Sequence, residues 1–270
     1  MRRIAILSIG LLAALSAFGQ TTPAPAPGPA GATGASGPKV PHPKSKAEND
    51  AVLAMFKASD PDAQIKAAED LLKTFPDTDY KPQAYLVEAQ SYHDKRDDPK
   101  AIVLGEESLE LDPKSYTTLL LLADVYSRST KSTDLDMNDK LTKADKYAKD
   151  ALALLETAKK PKEDLSDADW NAAKSNEESQ AWLSLGFSAL LRKKLDDAKT
   201  DFQKGTDISP DPLEMLYIER AYGDAKRYDD AIAWIDKATA LPNINDRLKQ
   251  IATSDKTRDQ ALKAKQAQSQ

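Results

Sequence analysis

The 270-residue chain has no cysteine, two histidines and only 6% aromatic residues. Without thiols it forms no disulfide, no thiolate metal site and no cysteine nucleophile. His42 lies in a proline-rich segment and His93 on the surface of an expected helix, so imidazole acid–base chemistry has no convergent pair to work with. A basic excess is also missing, with 38 Lys and Arg against 43 Asp and Glu and a net charge of -5. Phosphate binding needs a basic stripe, so nucleic acid is not an expected partner. There is no glycine-rich phosphate loop, no H-E-x-x-H and no G-x-S-x-G. Together these absences argue against an enzyme and against any bound cofactor.

Long apolar runs are scarce too. The main one, "IAILSIGLLAALSAF" at 4–18, follows Arg2 and Arg3, and small residues at Ala17 and Gly19 around its end have the spacing of a cleavage site. It is shorter than the roughly 20 residues a spanning helix needs. Residues 1–19 therefore read as a signal peptide cut before Gln20. The mature chain would be exported and soluble, periplasmic or secreted, with no integral membrane segment. Residues 20–46 hold seven prolines and four glycines without a periodic apolar face, the composition of a disordered linker. Gly28, Gly31, Gly34 and Gly37 recur with the collagen period, but so few triplets do not hold a triple helix.

From residue 47 onward the apolar residues follow the helical period, and prolines fall between the segments. In "WLSLGFSALLRKKLDDAKTDFQKGTDISP" at 182–210, Trp182, Leu185, Gly186 and Ala189 share one helical face, and Ala198, Phe202 and Gly205 share another before Pro210. Small residues at Gly186, Ala198 and Gly205 permit close approach of two antiparallel helices, while the large ones fill the space between neighbours. Tyr85, Ala89, Tyr92, Ala101, Ser108 and Pro113 repeat the offsets, with Gly105 where the second helix would carry an aromatic. Leu119, Leu122, Ala123 and Tyr126 start another unit, whose second helix (Ala144, Ala148, Ala151) fits only if about nine residues between Arg128 and Lys143 are looped out. Met215, Ile218, Tyr222, Ala231, Ile235 and Ala238 make a further unit with Glu219 at the small position. Val52, Met55, Ile65, Ala68, Leu71 and Leu72 suggest a degenerate first unit, as a terminal repeat would be.

This pattern of W-x2-L-G-x2-Y, A-x3-F and P in a 34-residue frame resembles the tetratricopeptide repeat, or TPR. The resemblance implies an all-α, right-handed α-solenoid of about five helix-turn-helix repeats over 47–253. It also implies that first-helix residues face a groove: Leu86 and Gln90, Leu120 and Asp124, Leu183 and Phe187, Leu216 and Arg220. A protein or peptide partner is therefore expected to lie on a leucine-rich stripe, unless that stripe packs against the chain itself. Members that clamp a C-terminal carboxylate carry basic residues there, whereas this set has Arg220 alone. The stretch at 75–102, "FPDTDYKPQAYLVEAQSYHDKRDDPKAI", is similar to repeats of periplasmic and outer-membrane assembly proteins, which implies a scaffold of the cell envelope. Self-association is the alternative.

Three further expectations concern the flanks. "SDADW" at 166–170 offers a capping box to a helix over 167–191. Residues 245–252 suit a polar closing helix, and 254–270 read as a polar tail that frays. Asp134, Asp136, Asn138 and Asp145 occupy positions one, three, five and twelve of a calcium loop, but Asp139 stands where that loop needs glycine. A polar loop is the plainer reading, and no metal site is expected.

Overall fold

The computed structural model describes residues 41–161 and 163–268. Residues 1–40, where the signal peptide and most of the linker are expected, lie outside the described residues. Eleven α-helices follow in order: α1 Lys46–Lys57, α2 Pro61–Thr74, α3 Lys81–Asp94, α4 Asp98–Leu111, α5 Tyr116–Ser129, α6 Met137–Thr157, α7 Asp167–Leu191, α8 Leu195–Ile208, α9 Pro212–Asp224, α10 Tyr228–Ala240 and α11 Asp246–Gln268. The fold class is all-α on the α-solenoid plan of consecutive helix pairs. α1 to α4 belong to one compact unit, together with Lys159–Leu165, and α5 to α11 to another.

Caps and prolines place the helix starts as the sequence pattern expects. Asp60, Asp97, Ser115 and Asp211 accept backbone N–H groups at the starts of α2, α4, α5 and α9, and Pro61, Pro82, Pro99 and Pro212 occupy first-turn positions whose N–H groups need no partner. Ser166 accepts from Asp169 N at 3.0 Å, so α7 begins where its capping signal predicted, and it runs to Leu191.

In the first unit α2 packs on both α1 and α3, and α3 on α4. Val52, Met55, Ala68, Leu71, Tyr80, Ala84 and Val87 form its core, which makes the degenerate first repeat a genuine helix pair. The end of the expected linker is anchored here, contrary to the disorder expected through residue 46. Tyr80 donates its hydroxyl to Pro41 O at 3.1 Å, and Ser45 caps α1. A buried hydroxyl needs an acceptor, and the extended chain supplies it.

In the second unit α5/α6, α7/α8 and α9/α10 are the pairs, while α7 also touches α5 and α9, so the three first helices form one layer. Its core centres on Phe202, fully buried, whose ring lies 4.9 Å from Phe187, 5.9 Å from Tyr222 and 6.3 Å from Trp234 between centroids. Gly186 has a steric cause, because a Cβ there would come within 2.6 Å of Phe202 Cε1. At Gly205 a Cβ would meet Leu183 Cδ2 and Ser179 O at 3.0 Å.

Backbone geometry repeats along with the side chains. Arg96, Lys193 and Lys226 have φ of 65°, 61° and 59°, each seven positions after the small-position residue Ala89, Gly186 or Glu219. The next N–H bonds back to Tyr92 O, Ala189 O and Tyr222 O at 2.9 Å in all three, which closes the first helix in a left-handed cap. A side chain in this conformation costs energy that glycine avoids. Lys193→Gly is expected to stabilise the chain by about 0.5–1 kcal/mol, read as a higher urea midpoint at unchanged slope.

Two expectations need correction. The insertion between Arg128 and Lys143 is not all loop, since α6 starts at Met137 and absorbs part of it as extra helix. The tail from residue 254 does not fray but continues α11, which packs on α9 and α10. Its polar residues are held by charge pairing: Arg258 bonds Glu219 at 2.7 Å, Asp255 at 2.9 Å and Asp259 at 3.0 Å. Glu219 and Asp259 are completely buried. One carboxylate oxygen of the glutamate at the small position of the last repeat is thus bonded by the segment that looked too polar to pack.

Candidate interaction surface

α5, α7 and α9 bring a charged and aromatic cluster onto the face of the second unit. Arg128, in the last turn of α5, bonds Asp124 Oδ1 through Nε at 2.5 Å and Glu214 Oε2 through Nη2 at 2.7 Å. Its guanidinium lies 4.3 Å from the Phe187 ring centroid and 5.5 Å from that of Tyr217. A planar, delocalised cation can bond carboxylates along its edge and stack on rings with its faces, so one side chain ties three helices together. Burial works against its charge, but Asp124 and Glu214 together outweigh that and hold its proton more tightly than usual. The cluster stays open to solvent, with side-chain exposures of 25% for Arg128, 17% for Asp124 and 21% for Glu214.

The structure distributes the eight groove candidates unevenly. Asp124 and Phe187 meet through Arg128. Leu120, Leu183 and Leu216 are buried, Leu183 against Gly205 of its own helix pair and Leu216 within the Phe202 core. Leu86 and Gln90 belong to the first unit and are buried there, Gln90 donating to Asp94 Oδ1 at 3.3 Å. Arg220 is exposed and lies 3.5 Å from Asp255 of α11. The leucines therefore pack against the chain itself and leave no open leucine stripe. Arg128, Glu214 and Tyr217 were missed. Arg128 follows Asp124 by one helical turn, the i,i+4 spacing that puts both on one face, and that was the signal available.

The calcium-like residues do not gather. Lys140 pairs with Asp134 at 3.1 Å and Asp136 at 2.9 Å, and Arg192 holds Asp145 at 2.8 Å. Asn138 and Asp145 stand two turns apart on α6. Among the described residues no helix is long and apolar enough to cross a membrane.

This layered arrangement of helix pairs matches a solved structure. A thermophilic TPR protein of Thermus thermophilus superposes with a TM-score of 0.51 at 18% identity, over 72% of this chain and 90% of that one. The fold is TPR-like. No protein-family model and no curated protein matches the sequence. The left-handed caps in register and the small residues between paired helices give the likeness its physical basis. On this fold the Arg128 cluster joins the three first helices of the second unit.

Proposed function

We propose that the chain is a non-enzymatic protein-interaction scaffold of the cell envelope, exported by its N-terminal signal and soluble once that signal is cut. It binds a segment of a protein partner across α5, α7 and α9. The observation that carries this reading is the array of Asp124, Arg128, Glu214 and Tyr217, partly open to solvent above the buried Phe187 ring, which combines an aromatic anchor with an arginine, residue types that dominate protein contacts. The N-terminal sequence supports export, and the repeats at 75–102 support the envelope.

Tyr217 is the anchor to remove, because it is only partly buried and packs on the edge of the core instead of inside it. Tyr217→Ala is expected to keep its helical circular dichroism and lose a partner recovered by immobilised native protein from envelope extract. Undiminished recovery with the folded variant contradicts the reading.

A further inference from the structure

The first unit contains a carboxylate without a counterpart. Glu88, on α3, is 5% exposed and makes no hydrogen bond or ion pair. It lines a cavity of about 400 Å³ with Glu69, Tyr92, Pro99, Val103 and Leu104. Buried carboxylates are normally paired. The nearby acids make matters worse: burial first, then repulsion from Glu69 and Glu107, pushes Glu88 up to about 7. Lys100 also lines the cavity, but its Nζ sits 4.7 Å from the Tyr92 centroid and 3.7 Å from Asp97 Oδ2, so it is not paired with Glu88. Val103 is 57% exposed and forms an apolar wall beside this negative floor.

We infer that this cavity is a socket for an arginine side chain of a partner polypeptide. Glu88 and Glu69 would take the guanidinium, Tyr92 would stack on it in place of the Lys100 ammonium, and Pro99, Val103 and Leu104 would line its methylene stem. The cavity joins three requirements of such a side chain: negative charge at depth, an aromatic face and an apolar channel. A bare metal ion would leave the apolar wall unused, and among the described residues no group of three or more acids and histidines is placed to hold one. This inference rests on the scaffold reading but concerns a different unit and different residues.

Binding also moves a proton. The charged and titratable groups around the cavity are Glu69 on α2, Glu88, Tyr85 and Tyr92 on α3, and Lys100 and Glu107 on α4. A guanidinium favours ionised Glu88, so association releases the proton held there and strengthens as pH rises from 6 to 8.

The experiment is fluorescence anisotropy on the full chain with a labelled nonapeptide of leucine, glycine and two arginines, beside the same peptide with citrulline at both arginines. Native protein is expected to bind the arginine peptide about tenfold more tightly than the citrulline peptide. Glu88→Gln should abolish that preference and its pH dependence, while unfolding no earlier than the native protein because it removes a buried charge. Val103→Lys, at an exposed position, fills the socket with a cation and should abolish the preference as well. Asp150→Asn, an acid in an exposed pair on α6, should leave it intact and so controls for net charge. No binding by native protein, equal binding of both peptides, or an unchanged preference in Glu88→Gln overturns the inference. If any of these occurs while Tyr217→Ala still loses its partner, the socket alone falls. If both experiments fail, the scaffold reading falls too.

Discussion

Phe202→Ala should destabilise the second unit by roughly 3–5 kcal/mol, the largest loss expected from one substitution in this chain. Phe202 is fully buried, its ring faces three other aromatic rings, and Gly186 exists as glycine to admit it. Truncation removes the apolar transfer term and leaves a cavity bounded by α7, α9 and α10, which their short connections do not allow to collapse. Denaturant titration followed by tryptophan fluorescence reads it, because Trp234 borders the gap. Gly186→Ala should give a loss of the same sign from the opposite cause, a methyl driven into the ring. In Phe202→Ala that clash disappears, so the double substitution should cost less than the sum of the two singles. Additivity would contradict the packing described here.

Arg258→Ala comes second, with an expected loss of about 2–4 kcal/mol, below the full value for a buried pair because the guanidinium is 45% exposed. The substitution strands Glu219 and Asp259 in the interior. Glu219 Oε2 and Asp259 Oδ2 already lack a donor from any other residue, and a bond between the two carboxyls requires a proton on one of them. Burial, followed by the bond to Asp259 and the charges of Asp255 and Asp259, raises Glu219 to about 8 against the opposing pull of Arg258. Its folded value lies above the ordinary 4.5. The stabilisation it gives is therefore complete below about pH 4.5 and is lost as pH rises through about 8. Glu177, raised to about 7 by burial, acts in the same direction. Thermal unfolding should show the midpoint falling between pH 5 and pH 8, with a shallower fall in Glu219→Gln. A midpoint that rises over this range, or an unaltered slope in the variant, contradicts the shared proton.

The repeats could be read from the sequence because their signal is local. The spacing of Gly186, Ala198, Phe202 and Gly205 encodes one helix pair, and the same spacing at Ala89, Ala101 and Ser108 encodes another. Seams between successive first helices depend on partners far along the chain, and there the reading failed. Leu183 counts as groove-facing by position, yet it fills the space that Gly205 leaves on α8. Polar residues misled for the same reason. Residues 254–268 have no apolar face of their own, and their helix packs because Glu219, which breaks the repeat pattern, waits for Arg258. An anomaly in one element and a surplus of charge in another were two halves of one contact. Glu88 shows the converse case, an acid at an ordinary repeat position whose isolation emerges only when the surrounding helices are placed.

The most direct measurement is site-specific photo-crosslinking in the cells that make the protein, with a benzophenone amino acid at Tyr217 on the first-helix face or at Lys199 on the exposed side of α8. The account predicts a discrete crosslinked protein partner from position 217 and none from 199. A partner captured from 199 and not from 217, or equal capture from both, would contradict the first-helix face as the binding surface.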